Sequence, residues 1–182
     1  MLTYQPDRAR ELWEQAEKLD PFKGTFSIAF NADGGHKTWV DAVAQQVTDT
    51  LGVLAESKEF GTLKELRREV TARHITGAFR TIWQAEFPDE STFLVPLFAS
   101  YSSENESGFR STEYDELLKK VGQAKDREEA QEYYLQAQEL LLEKMPAIPL
   151  WTTKAFSAYG KDIIPAGYTW KPTPNYYLIH RA

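Results

Sequence analysis

Thr25-Phe26-Ser27-Ile28-Ala29-Phe30-Asn31, followed by Ala32-Asp33-Gly34-Gly35, is the stretch on which the fold turns. Phe26, Ile28 and Phe30 alternate with smaller residues, a period of two, so the segment reads as a strand with one apolar face. The Asn-Asp-Gly-Gly turn ends it, and the apolar spacing then changes. Trp39, Val40, Val43, Val47 and Leu51 fall along one stripe of an amphipathic helix, and Gly52 is placed to cap its C-terminus. Strand, tight turn and helix in that order form the basic unit of an α/β domain.

The same alternation continues on both sides. Upstream, Pro6 suits the first helical position, where its missing N–H costs nothing. Ala9, Leu12, Trp13, Ala16 and Leu19 then recur at helical spacing until Asp20-Pro21 ends the run. Downstream, Val53 to Ser57 reads as a short strand. Thr62-Leu63-Lys64-Glu65 is a capping box, opening a helix that turns Leu63, Leu66 and Val70 inward. Ala78 to Gln84 is strand-like, and Glu86 to Phe93 is an acidic loop turning into a short helix. Ser100 to Ser111, rich in Ser and Glu, is expected as a polar surface loop. Thr112 is expected to cap a helix bearing Tyr114, Leu117, Leu118 and Val121. Asp126-Arg127-Glu128-Glu129 opens the longest helix, with Ala130, Tyr134, Ala137, Leu141 and Met145 in register until Pro146. Ala147 to Tyr159 reads as extended, and Pro165, Pro172 and Pro174 punctuate an irregular aromatic tail. No internal repeat or low-complexity tract occurs. Helices alternating with strands give an α/β layered domain with its sheet between helices.

Composition bounds the function. The 182 residues suit one domain or one lobe of a larger protein, and 42% apolar with 26% charged residues is a globular balance. No stretch approaches the ~18 apolar residues that a membrane helix requires. A net charge of −6 argues against a general nucleic-acid binder, which presents a basic face to phosphates. The absence of Cys excludes thiolate zinc sites, thiol nucleophiles and disulfides, and fits exported bacterial proteins. The start, Met1-Leu2-Thr3-Tyr4-Gln5-Pro6, is polar and runs straight into a helix without a signal peptide.

Few residues point to catalysis. His36, His74 and His180 stand far apart with no second ligand at metal spacing, so no metal site is expected. There is no Gly-x-Ser-x-Gly elbow and no phosphate-binding Gly-x-x-x-x-Gly-Lys loop. Gly34-Gly35 before a helix reads as a tight turn rather than an anion site. Arg67-Arg68 is a solvated face. Glu86 and Asp89 are a carboxylate pair of the kind glycosidases use, but their spacing across Pro88 suits a structural role for Asp89, capping the next helix through the Thr92 N–H. Glu86 is read as ending a strand beside Trp83, where α/β domains place ligand contacts.

Four stretches in order carry a family resemblance. Trp83-Gln84-Ala85-Glu86-Phe87-Pro88-Asp89-Glu90-Ser91-Thr92-Phe93-Leu94 resembles the Trp-x-Ala-Asp-Tyr-Pro-Asp-Pro-x-x-Phe-Leu signature of the solute-binding proteins of peptide ABC importers, extracellular solute-binding family 5. Tyr4-Gln5-Pro6-Asp7-Arg8-Ala9 is similar to that family's Tyr-Asp-Pro-Glu-Lys-Ala helix start. Gly108-Phe109-Arg110-Ser111-Thr112-Glu113-Tyr114-Asp115-Glu116-Leu117 is similar to its Gly-Phe/Tyr-x-Asn-Pro-Glu-Tyr-Asp-x-Leu loop and helix. Ala137-Gln138-Glu139-Leu140-Leu141 through Pro146-Ala147-Ile148-Pro149-Leu150 resembles its helix ending in Pro-x-Ile-Pro-Leu.

The resemblance implies a fold and a role. The fold is a periplasmic-binding-protein-like (type II) lobe, an α/β sandwich with a mixed sheet flanked by helices. Residues 1–182 would form the single C-terminal lobe of a two-lobed clamp whose N-terminal lobe is absent, which also accounts for a start directly on a helix. The role is capture of oligopeptides between two lobes for delivery to an ABC transporter membrane permease. That implies no catalysis, no cofactor, no metal and no nucleic acid, an extracytoplasmic location, and membrane attachment only through an anchor outside this chain. Ligand contacts carry over to Glu86, Trp83, Arg80 and Phe87. Glu86, one methylene longer than the usual Asp, stands where the family receives a peptide's α-ammonium, and Trp83 at an apolar wall. Arg80 matches an Arg that some oligopeptide binders keep near the ligand, although strand register sets it on the opposite face from Trp83. Glu90 replaces the second Pro of the signature, and Ser111-Thr112 replaces Asn-Pro, both as cap substitutions. Other readings stay open: a ligand-sensing domain of a regulator, a binder of a nickel complex or a sugar, an enzyme using Glu86 and Asp89, or a structural protein without a ligand.

Overall fold

Ala29 and Phe30 have no exposed surface, and Ile28 and Asn31 almost none, because the strand that holds them, Phe26–Asn31 (β1), is covered on both faces. This computed structural model describes residues 3–165, 167, 170 and 173–181, which form two compact units meeting in sequence at Ile82 and Trp83. The first begins with a helix, Pro6–Leu19 (α1), and then β1. Lys37–Leu51 (α2), Ala55–Phe60 (β2), Leu63–Thr71 (α3) and Ala78–Phe79 (β3) follow. The sheet order is β2-β1-β3, with Phe26 opposite Ala55 and Ile28 opposite Ala78. Ile28 and Phe30 pack on Val40 and Ala44 of α2, with Trp39 and Val43 beside them. Ala29 faces the other way, onto Leu66 and Val70 of α3, where its small side chain leaves room for the helix. Each large buried side chain here contributes roughly 1.5–3 kcal/mol over its exposed state.

The capping residues act as their chemistry dictates. Thr62 accepts from the Glu65 N–H at 3.2 Å and its own N–H donates to the Glu65 carboxylate at 3.0 Å, so the capping box of α3 is complete. Gly52 closes α2 at φ 71°, a left-handed conformation that glycine takes without penalty.

Three expectations change. The three-stranded sheet is parallel throughout rather than mixed, because each of its strands is joined to the next through a helix, which returns the chain to the same end of the sheet. Antiparallel pairing occurs separately, between Ile163–Ile164 (β4) and His180–Arg181 (β5). β2 starts at Ala55, not Val53, and runs on through charged Glu56, Lys58 and Glu59, since an edge strand needs no continuous apolar face. β3 stops at Phe79. The Arg80 N–H still reaches the Ala29 carbonyl at 2.8 Å, but the ladder with β1 ends at the Ala29–Phe79 pair although β1 itself runs on to Asn31. Glu86 therefore does not end a strand, and strand register no longer separates Arg80 from Trp83.

In the second unit, Ser91–Phe98 (α4), Thr112–Val121 (α5) and Arg127–Lys144 (α6) enclose a core of Leu94, Ala99, Tyr114, Leu117, Leu118, Ala137 and Leu140. Tyr114 is fully buried, donates its hydroxyl to the Leu94 carbonyl at 2.9 Å and meets Phe109 edge-on. Burial raises its phenol pKa well above the ordinary value. Ser111, not Thr112, caps α5 through the Tyr114 N–H. Asp126 caps α6, while Glu129 reaches back to the Lys125 N–H, one residue earlier than a full box. The α6 stripe ends on Met145 in the left-handed region (φ 47°), just before Pro146. The polar stretch Ser100–Ser111 is not merely a surface loop. It winds around buried Asn105, whose amide donates to the Ala99 and Phe109 carbonyls and whose oxygen accepts from Ser107 and Gly108. Residues 147–159 are exposed and form no regular secondary structure. Met1, Leu2 and Pro172 lie outside the described residues.

Candidate functional site

The polar residues of the first unit gather where β1 and β3 end. Asn31, the last residue of β1, is buried and accepts from the Arg80 guanidinium at 2.8 Å. Its amide donates to Asp33 at 2.6 Å, and Asp33 also accepts from the Leu63 N–H at 3.3 Å. These bonds, that from Asn31 first, hold the Asp33 carboxyl below its usual pKa. His36 stands on the same turn, and its Nδ1 accepts from the Trp39 indole at 3.2 Å, so the neutral ring carries its proton on Nε2. Burial, and then the charge of Arg80, lower the pKa of His36. A Cβ at Gly34 would overlap the His36 ring, so any other residue here would displace that ring. Helices α2 and α3 cover opposite faces of the sheet, so the order β2-β1-β3 has its topological switch point between β1 and β3, at these residues. Arg80, half-buried and bonded to a neutral amide, stays charged across the physiological range and suits a carboxylate.

The second unit holds Trp83, Glu86 and Phe87. Trp83 is half-buried, and its indole N–H donates to the Thr92 carbonyl at 2.7 Å. Within α4 that carbonyl would bond the N–H of residue 96, but Pro96 has none, so the indole takes the vacant place. The hydroxyl of buried Thr92 accepts from the Glu86 N–H at 3.0 Å. One threonine thus fixes both Trp83 and the Glu86 backbone. The Glu86 side chain is exposed and makes no ion pair among the described residues.

Asp89 behaves differently from expectation. Its carboxylate accepts from the Ser91 N–H and hydroxyl and from Tyr134, while the Thr92 N–H goes to the Asp89 carbonyl. The Ser91 bonds chiefly hold its pKa down. Phe87 lines an open groove against α6, together with Ala85, and Glu86 between them is not part of its wall. No group of three metal-ligating side chains occurs among the described residues.

No family model matches the chain. Similarity to individual proteins is nonetheless extensive. The glutathione-binding protein GsiB of Salmonella typhimurium is 27% identical over 167 residues, 88% of this chain and 32% of its own length. The dipeptide-binding protein DppE of Bacillus subtilis is 24% identical over 148 residues, 79% of this chain and 26% of its own. Among solved structures, the substrate-binding domain of an oligopeptide ABC transporter from Bacillus anthracis superposes with a TM-score of 0.72 at 26% identity, covering 80% of this chain and 28% of that one. The chain is similar to the binding proteins of peptide ABC transporters. It spans about a third or less of the length of the curated relatives it matches.

Set beside these relatives, the expected residues divide. Trp83 and Glu86 share one anchor, Thr92; Phe87 faces the groove; Arg80 belongs to the polar cluster of the first unit. Asn31, Asp33, His36 and Thr92 were not foreseen as site residues. Asn31 and Asp33 look like ordinary turn formers in sequence, and only the strand order reveals that their turn opens at a switch point.

Proposed function

We propose that this chain forms one wall of the peptide site in the solute-binding component of a peptide ABC importer, with Glu86 receiving the α-ammonium group of the ligand. The observation that carries this is the exposed Glu86 carboxylate, without an ion pair among the described residues, on a backbone fixed by Thr92 beside Trp83. An ammonium–carboxylate hydrogen bond is charge-assisted, and it strengthens when closure removes water. Trp83 supplies apolar wall, and Arg80 is a receptor for carboxylate. The relatives' additional length is assigned to a second lobe. Ile148, Leu150, Trp151 and Phe156, exposed at 71%, 52%, 63% and 88%, support a surface for that lobe to cover. The protein binds without turnover or cofactor, works outside the cytoplasm, and hands peptide to a membrane permease.

The test is purification of the native full-length protein and mass spectrometry of the small molecules that come with it. Peptides that disappear in Glu86→Ala are the expected result. A nonpeptide ligand, such as a sugar or nickel complex, rejects the peptide assignment. An empty protein that also ignores a peptide library in thermal-shift assays favours a sensor or structural role.

A further inference from the structure

Asn31 joins two opposite charges through one neutral amide. The Asp33 carboxylate can only accept and the Arg80 guanidinium can only donate, so the amide has a single orientation. Its Nδ2 donates to Asp33 at 2.6 Å, and its Oδ1 accepts from Arg80 at 2.8 Å. Asn31 is 3% exposed, so water competes little for either bond. Asp33 is held from the other side too, by the Leu63 N–H at the start of α3. A carboxylate and a guanidinium thus share one amide, yet they form no ion pair with each other among the described residues.

Direct pairing would be the stronger contact, because an Arg–carboxylate bond is charge-assisted on both sides. It would also cancel the charge of Arg80. With Asn31 between them, Arg80 spends one of its five N–H donors and makes no other side-chain hydrogen bond among the described residues. Burial, and then the charge of Arg67, lower the Arg80 pKa, while Asp33 raises it by less. The repulsion from Arg67 therefore outweighs the attraction of Asp33, and Arg80 presents net positive charge. We propose that Asn31 is a positioning residue that sets the charge preference of this switch-point site, keeping Asp33 from neutralising Arg80 and reserving the guanidinium for a carboxylate of the ligand. This rests on the reading of Arg80 as the carboxylate receptor. Position 31 needs an acceptor toward Arg80 and a donor toward Asp33 with no charge of its own. Asparagine supplies both at this length; aspartate would supply no donor and would pair with Arg80 itself.

The decisive variant exchanges the two residues, Asn31→Asp with Asp33→Asn. Net charge stays at −6, and every bond keeps a donor and an acceptor. The new carboxylate at 31 accepts from Arg80 and from the new amide at 33, whose oxygen accepts from the Leu63 N–H. Only the place of the negative charge changes. The experiment is an NMR titration of the isotope-labelled full chain at pH 7, reading the Arg80 Nε–H, with N-acetylglycine and its neutral amide, N-acetylglycinamide. The unaltered chain is expected to bind N-acetylglycine about tenfold more tightly than the amide, the effect of one charged hydrogen bond. The exchanged chain should bind the two compounds equally while unfolding at an unchanged urea midpoint. Asp33→Asn alone should raise N-acetylglycine affinity by about twofold, the size of an exposed charge contact. An exchanged chain that discriminates like the unaltered one overturns the role of Asn31 and leaves Arg80 as receptor. A tenfold gain in Asp33→Asn also overturns it, because Asp33 would then already be neutralising Arg80, and this arm holds even if the exchanged chain fails to fold. No preference for N-acetylglycine in the unaltered chain rejects Arg80 as the receptor, and the role of Asn31 with it.

Discussion

Replacing Thr92 by Val isolates the bond that holds Glu86. Thr92 is 4% exposed, and its hydroxyl is the acceptor for the Glu86 N–H at 3.0 Å. Valine has nearly the same shape, so packing is kept while the acceptor is lost. A half-buried N–H without a partner costs about 1–3 kcal/mol, and the extra buried methyl returns about 0.8 kcal/mol. The net expectation is a destabilisation of about 1 kcal/mol in urea unfolding. Thr92→Ser gives a similar loss for the opposite reason, since it keeps the acceptor and removes a methyl group. Global stability alone does not separate the two, but hydrogen exchange at the Glu86 amide does. That amide should exchange about tenfold faster in Thr92→Val, the equivalent of ~1.4 kcal/mol, and at an unchanged rate in Thr92→Ser. Unchanged Glu86 exchange in Thr92→Val refutes the reasoning, because the threonine hydroxyl would then not be holding the segment.

Two further outcomes follow from the buried polar groups. Tyr114→Phe removes the hydroxyl bonded to the Leu94 carbonyl at 2.9 Å and should lower stability by about 1 kcal/mol, seen as a lower urea midpoint at constant m-value. His36 has a folded-state pKa below its ordinary 6.5, so the folded protein favours the neutral ring; that contribution is complete above pH 6.5 and is lost as pH falls through the lower folded value. An NMR titration should find the His36 ring protonating below 6.5, and His36→Gln should flatten the stability profile in that window.

Much of the fold was legible because single residues carry unambiguous physics. Thr62, Asp126 and Gly52 cap the helices they were expected to cap, and Phe26, Ile28 and Phe30 mark the central strand. The misreadings have a common cause in partners that are distant in sequence. The strand after Ala78 ends at Phe79, where its pairing with β1 stops, which local alternation does not record. Asn105 looks like a loop residue among serines, and its burial depends on carbonyls at Ala99 and Phe109. Of the candidate site, Trp83 and Glu86 stood out through the resemblance. Their shared support did not, although a Thr four residues before a helical Pro signals an unpaired carbonyl. The cluster of Asn31, Asp33 and His36 around Arg80 required the sheet order to be known.

The central claim, that Glu86 receives the amino end of a peptide, is tested most directly by calorimetry on the native full-length protein with a tripeptide and its N-acetylated form. The account expects the free tripeptide to bind, acetylation to weaken binding by about tenfold or more, and Glu86→Gln to remove most of that difference, since a charged hydrogen bond out of water contributes about 1.5–3 kcal/mol. Equal binding of the two forms, or full discrimination retained in Glu86→Gln, contradicts it.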